Sequence, residues 1–483
     1  MKNMKMYQLH MGEATCSLDL GDGSERGEYV NQDYILSRLG RPHRAISLMY
    51  CYYPLDKGWP GRASVVHKNP DVSFAWDYPY DDYFPYGGGL NGDPESEVFK
   101  QMADIRRHGQ DVLLTLTIDP HVSDEHLRAI GKDLRPYGRV LLRINHEATG
   151  DWFSFNRRCT YQEVADFFVR ASNVIKEEAP NVKTIICIGG IESLEMTEIV
   201  MEKEFAKTIP AADIWSVDKY MALHWGWPYD IAEPGGTTHK RDAVEFIYET
   251  TKRSLKRYTE INGGEARPIV MSEFNADGDV TGPYDQCMMV KEFAEMLKAD
   301  EPWLSAFTFY QFRDRGRLGL EIEDPNNSEV GIEQPVMDTY RELLADPYFM
   351  PQMTLGEEQK LPVTLRWGGS EDAEGLSVPV ELESNPHFCE LYFEGESVDA
   401  NLMLEINGKW FYKAPGVNFV DLMPAFFKKP LTGAAKMDIK LFAPPASGKN
   451  DEAQGNDWDV NYYYTLKELP KLRVRYTPVM EKR

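Results

Sequence analysis

"VLLRINHEATGDWFSF" spans residues 140–155 and changes character halfway. An apolar run holding a single arginine, Arg143, gives way to Asn145, His146 and Glu147, then to Gly150, Trp152 and Phe153. A strand this apolar belongs to a parallel sheet that is buried on both faces. Its sudden turn to polar residues fits the carboxyl end of a strand that opens onto a site. The fold then depends on how often the pattern recurs.

Eight such strands are predicted before residue 345, at residues 6–11, 45–52, 112–118, 140–144, 184–188, 214–217, 268–271 and 306–310. Helical patterns follow them at 29–39, 94–108, 124–130, 161–178, 194–207, 242–258, 284–298 and 336–344. Asp93 and Pro94 supply an N-cap and a first helical position that needs no N–H. Thr160 and Glu163 form a capping box, and Pro180 stops the helix before "VKTIICIGG". Eight strand–helix repeats predict an α/β fold, a closed (β/α)8 TIM barrel. An open doubly wound sheet often carries a glycine-rich turn between strand and helix. Gly87, Gly88 and Gly89 lie in a long loop instead and read as loop flexibility.

Beyond Pro351 the period changes. "LPVTLRWGG", "LSVPVELE", "NLMLEINGKWFY" and "MDIKLFAPP" are short alternating segments parted by Gly, Pro, Asn and Asp. They predict a carboxy-terminal all-β sandwich with jelly-roll character. The reading is a catalytic barrel over 1–350 and an accessory sandwich over 351–483, with "FMPQMTLGEEQK" as linker.

Polar residues gather at the carboxyl ends of the barrel strands. Asp119 follows the third, Asn145, His146 and Glu147 the fourth, and Asp218, Lys219 and Tyr220 the sixth. Glu273 ends the seventh, and Gln311, Arg313 and Asp314 follow the eighth. Alternation puts Arg143, Asn145 and Glu147 on one side of their strand, and Met271 with Glu273 on one side of theirs. Both glutamates are therefore expected in the mouth. Two facing carboxyl groups suit glycosidic bond cleavage, where one protonates the leaving oxygen and the other attacks the anomeric carbon. Arg143 is expected to hold Glu273 ionised by lowering its pKa.

"RINHEATGDWF" with "IVMSEF" resembles the clan of retaining (β/α)8 glycoside hydrolases. The pair His146-Glu147, with Trp152 shortly after, is closest to glycoside hydrolase family 26, which holds β-mannanases, β-1,3-xylanases and some β-glucanases. The resemblance covers about residues 5–345 through strand-end motifs. It implies Glu147 as acid/base, Glu273 as nucleophile, His146 as a sugar contact, and Arg143 and Tyr220 as partners of the nucleophile. Lys219 and the "DYPYDDYFPYGGG" loop depart from the pattern.

Composition narrows the partners. A net charge of −24 repels a phosphate backbone or an anionic membrane, but not a neutral polysaccharide or oligosaccharide. No apolar run is long enough to span a bilayer. The start "MKNMKMYQLHMGEATC" lacks a signal-peptide core, so the protein is expected in the cytoplasm, or outside if a signal has been removed. The cysteines show no CxxC pair or zinc spacing, and no cofactor or metal is expected. Cys51 and Cys187 read as small buried thiols.

Aromatics crowd three loops: Trp76 to Tyr86 after the second strand, Trp152, Phe153 and Phe155 after the fourth, and Trp225, Trp227 and Tyr229 after the sixth. Aromatic rings cover the apolar faces of sugars, so Trp152, Trp225 and Trp227 join Asn145, His146, Gln311 and Arg313 as expected substrate contacts. Other readings stay open. Arg143 could plug the barrel against Asp218, and Asp119 with His121 could position a sugar or cap the following helix. Trp367, Trp410 and Trp458 could be core or ligand platform. The chain could bind carbohydrate on a degenerate barrel without cleaving it. A metal hydrolase using Asp119, His121 and His146 lacks the usual ligand spacing.

Overall fold

The computed structural model describes residues 5–22, 29–56, 84–150, 153–189, 204–222, 244–314, 316–367, 373–449 and 463–477. Eight parallel strands close into a barrel: Ser17–Gly21, Ala45–Tyr52, Asp111–Ile118, Val140–Ile144, Val182–Cys187, Ile214–Ser216, Ile269–Ala276 and Ala306–Phe309. Each pairs with the next in the chain, and the last closes the ring. Ala306 lies opposite Val270 on one side and Ser17 on the other.

The first barrel strand is therefore Ser17–Gly21, not residues 6–11. Asp19 interrupts the apolar run of "SLDLG" and hides this strand in the sequence. That carboxylate points inward and is neutralised by Arg44. Met6–Met11 is a strand, but it lies between Met353–Gln359 and Ala373–Leu382 in the antiparallel sandwich. The segment read as a linker is thus largely sheet, and residues 6–11 sit with the sandwich.

Alternation along each strand divides the barrel into two faces. Val112, Leu114 and Leu116 face outward into the large core beneath the helices. Leu113 faces inward, where it meets Ala45, Leu141 and Ile185 in a small apolar plug at the amino-terminal end. Above that plug the inner face turns polar, with Thr115, Arg143, Ser216 and Ser272 all fully buried. An apolar floor under a polar layer is the foundation on which the mouth is built.

The helix Tyr161–Glu178 starts as read, with both halves of the Thr160–Glu163 capping box formed. The helix expected from Pro94 begins instead at Glu97, behind Ser96. Asp93 spends its side chain on the N–H of Glu95, closing a turn ahead of the helix. The helix expected over 194–207 lies mostly outside the described residues. Gly87, Gly88 and Gly89 are tightly packed rather than loose: a Cβ on Gly88 would lie 2.6 Å from the Asp133 carboxylate.

The sandwich sets a large antiparallel sheet against a three-stranded one, Phe388–Tyr392 flanked by Phe419–Asp421 and Lys471–Arg475. Leu376, Leu404 and Leu441 from the first meet Cys389, Leu391 and Val420 from the second in one core. Trp367 and Trp410 are buried, packed with Leu9, Leu36, Met403 and Phe442 where the sandwich meets the barrel. Trp367 lies so flat on Gly109 that a Cβ there would fall 2.5 Å from its ring. These two tryptophans are core, and Trp458 lies outside the described residues.

Candidate active site

Arg143 is the centre of the mouth. It projects inward from the fourth strand and is fully buried, so each of its donors needs a partner. Nε donates to Thr115 Oγ1 at 2.7 Å. Nη1 donates to Asp218 Oδ2 at 2.6 Å and to Ser272 Oγ at 3.0 Å. Nη2 donates to Glu273 Oε1 at 2.7 Å. Burial works against the guanidinium's charge, but Asp218 and Glu273 outweigh it and raise its pKa. Two carboxylates share one arginine, so the buried cluster keeps a surplus negative charge.

Glu273 does not reach this cluster by simple alternation. In its strand Val270 points down the barrel interior, while Met271 packs outward into the helical core. Glu273 shares the outward parity of Met271, so alternation alone does not bring it into the mouth. A register shift between Met271 and Phe274 turns it. Ser272 and Glu273 together occupy the span that one residue of the eighth strand fills, and both side chains reach Arg143. Re-aiming a side chain this way is a known use of a β-bulge. Asp218 pins the bulge, its Oδ1 accepting from Ser272 Oγ at 2.7 Å and from the Glu273 N–H at 2.9 Å.

Tyr220 completes the setting, its hydroxyl donating to Glu273 Oε2 at 2.7 Å. Burial raises the Glu273 carboxyl above its ordinary value, Arg143 opposes the rise, and Asp218 adds to it. The expected pull of Arg143 is present, but desolvation outweighs it. Burial, then the Glu273 charge, pushes the Tyr220 phenol well up, so it stays a donor.

Glu147 enters from the fourth strand's end, where the chain kinks. Asn145 and Glu147 have φ of 47° and 49°. Asparagine tolerates this left-handed region, whereas a glutamate there is strained by about 1–2 kcal/mol. Backbone bonds hold the kink: Asn145 N–H to Leu116 O at 3.2 Å, Ala148 N–H to Cys187 O at 3.0 Å. The Glu147 side chain is half-buried, and oxygens of Glu147, Asp218 and Glu273 all lie within 4.8 Å of one another. Three such carboxylates could hold a cation, but Arg143 already lies between two of them.

The other expected residues divide. His146 is buried, 3.9 Å by Nε2 from Glu273 Oε1 and packed on Phe153. Burial and then Arg143 push its pKa well down, leaving it neutral. Asn145 is not aimed at the cleft. Its amide clasps the third strand, accepting from Ile118 N–H at 2.7 Å and donating to Ile118 O at 3.0 Å. Gln311 donates to Asp314 at 3.1 Å, and Arg313 pairs with Glu323 of the following hairpin. Both are thereby committed to the loop after the eighth strand. Trp152, Trp225 and Trp227 lie outside the described residues. Phe153, Phe155 and Tyr86, from the aromatic loops, are buried in the core and are not a sugar wall. Asp119 caps no helix; it accepts from the His121 N–H at 3.0 Å in a turn.

Thr115 and Ser272 are polar-layer residues that the sequence barely marks. Their only signal is a small polar side chain inside an otherwise apolar strand, at the height of Arg143. Met-Ser-Glu invites a reading by strict alternation, and only the bulge corrects it.

No family model matches the sequence, and no curated protein matches it. Solved structures similar to the chain include a modular endo-β-1,4-mannanase from Cellulomonas fimi, with 11% identity, a TM-score of 0.43, and coverage of 88% of this chain and 93% of that one. A GH51 arabinofuranosidase from Xanthomonas axonopodis pv. citri has 12% identity and a TM-score of 0.46, covering 92% and 98%. A family 39 glycoside hydrolase from Bacteroides cellulosilyticus WH2 has 10% identity and a TM-score of 0.41, covering 92% and 95%.

Proposed function

We propose that the chain is a retaining glycoside hydrolase acting on a β-linked polysaccharide or oligosaccharide, with Glu273 as nucleophile and Glu147 as acid/base. The observation that carries this reading is the approach of their carboxylate oxygens to within 4.8 Å. Retaining pairs stand about 5–5.5 Å apart, whereas inverting pairs need about 6.5–9.5 Å to admit a water between them. Glu147 protonates the glycosidic oxygen as Glu273 Oε attacks the anomeric carbon, and the bond to the leaving sugar breaks. Glu147, now ionised, takes a proton from the water that cleaves the glycosyl ester and frees Glu273.

The shared arginine suits this cycle. When Glu273 becomes an ester it loses its charge, and Arg143 keeps Asp218 as counter-ion, so no buried cation is stranded. Tyr220 and Arg143 donate to the ionised form of Glu273 and hold its two oxygens in place. The His146-Glu147 motif favours a β-mannan or a related β-glycan as substrate.

A panel of β-mannan, β-xylan, β-glucan and β-galactan, with product sizing and anomeric NMR, tests the reading. The expected first product keeps the β configuration. An α first product would replace retention with inversion. Affinity for a glycan with no product at all would make the chain a carbohydrate-binding protein instead.

A further inference from the structure

A cavity lies at the end of the barrel opposite the mouth, between the amino-terminal ends of the strands and the sandwich, with a volume of about 650 Å3. Sites for small organic ligands span about 300–1,000 Å3. Its inner wall is apolar, from Leu141, Ile185 and Val270, and Trp367 and Trp410 border it on the sandwich side. Four carboxylates and five lysine or arginine side chains line it. His43 adds no charge, because burial pushes its pKa down to about 3. The lining therefore carries one positive charge in excess.

Among the lining arginines, the ion pairs leave one without a carboxylate. Arg44 is held by Asp19, and Arg106 and Arg139 both reach Asp111. Arg41 differs. Its Nη1 donates to the Leu344 carbonyl at 3.1 Å, and its Nε is buried without a partner. Among the described residues no carboxylate comes within ion-pairing distance of it. Glu405 acts on it only from further off, and pairs with Lys440 at 2.6 Å. Burial lowers the Arg41 pKa to about 10, the direction taken by a cation short of a counter-charge.

We propose that this cavity binds a small organic carboxylate, whose charged end pairs with Arg41 and whose ring-sized body lies against Leu141, Ile185 and Val270. One negative charge matches the excess of the lining. A doubly charged phosphate would exceed it and face Asp19 and Asp111. A neutral sugar would leave Arg41 as it is. The inference stands on this cavity alone and is independent of the proposed glycosidase activity.

The test is calorimetric titration and thermal melting of the intact chain, with benzoate and D-glucuronate as probes and inorganic phosphate and glucose as controls. At least one carboxylate is expected to bind saturably and raise the melting temperature. Arg41→Gln should weaken that binding at least tenfold, Arg41→Lys less, and Glu273→Ala not at all. Without ligand, Arg41→Gln should melt no lower than the wild type, since it removes an uncompensated charge. The proposal is overturned if neither carboxylate binds, if phosphate binds equally well, or if Arg41→Gln leaves binding unchanged. It also falls if Glu273→Ala abolishes binding, which would put the ligand in the mouth. A large drop in melting temperature for Arg41→Gln would make Arg41 a structural clamp on Leu344 and overturn it too.

Discussion

The two ends of the barrel both bury arginine–carboxylate clusters, and they are built on opposite accounts of charge. At the amino-terminal end Asp111 is met by two arginines, Arg106 and Arg139, and Asp19 has Arg44 to itself. Both of these carboxylates have at least one full cation. At the carboxyl end one arginine, Arg143, serves both Asp218 and Glu273, with Glu147 close by. In the first arrangement the carboxylates are answered by cations and none is left poised to react. The second keeps a carboxylate that is positioned yet incompletely neutralised. Buried charge alone therefore does not mark a site; the ratio of acids to cations does.

The hardest test of this contrast is Glu273→Ala. Loss of a nucleophile lowers kcat by on the order of 10^4–10^6 in well-studied enzymes, and a loss of that size is expected here on whichever glycan proves active. Glu147→Ala should lose far less on an aryl glycoside whose leaving group needs no proton. If Glu273→Ala kept near-normal turnover, the mouth would be no more catalytic than the opposite end.

Paired arginine substitutions come next. Removing one partner of a buried ion pair destabilises by about 3–5 kcal/mol, so Arg143→Met and Arg44→Met should both lower stability in denaturant titrations. They should part in kinetics. Arg143→Met should also lose most of kcat, while Arg44→Met should keep the wild-type kcat per folded molecule. Equal kinetic loss in both would show that the two clusters do not differ in kind.

How much of this was legible follows from where the information lies. The barrel was, because seven of its strands are apolar runs between helices, and Val140–Ile144 and Ala45–Tyr52 were placed to the residue. The first strand was not, because Asp19 looks like a breaker until Arg44 is known to face it. Glu147, Glu273, Arg143 and Tyr220 lie together, since each stands near or just past the carboxyl end of a barrel strand. The role of Asn145 was misread, because a clasp on Ile118 depends on a neighbouring strand's backbone. The route by which Glu273 turns inward was hidden too, since a bulge is a property of two strands in register, not of one sequence.

A smaller effect should appear in the pH profile. In the proposed cycle Glu273 must be ionised to attack, and its pKa is raised, so kcat/KM should fall on the acid side at a pH above the ordinary glutamate value. Tyr220 donates to the ionised carboxylate. In Tyr220→Phe that support is lost, the ionised form becomes less favourable, and the acid limb should move to still higher pH, with kcat down by roughly tenfold. An acid limb that stayed put, or moved down, would mean that another group sets it. Chelators should leave the profile untouched, since Arg143 already supplies the positive charge between Asp218 and Glu273.

The smallest effect is one of stability, and it runs against intuition. Because the folded pKa of Glu273 is raised, stability is lost as pH rises from the unfolded value to the folded one, and the full cost stands above it. Below the unfolded value both states are protonated and the penalty vanishes. Glu273→Gln removes the second charge while Arg143 keeps Asp218. That variant should be inactive yet more stable at neutral pH by about 0.5–2 kcal/mol, the usual size of a single stabilising substitution. The gain should shrink as pH falls towards the ordinary glutamate value. Asp111, with two arginines, offers the control: Asp111→Asn should be destabilising at neutral pH. If Glu273→Gln instead lost stability as Asp111→Asn does, the mouth would be as saturated as the opposite end, and the shared arginine would not explain its chemistry.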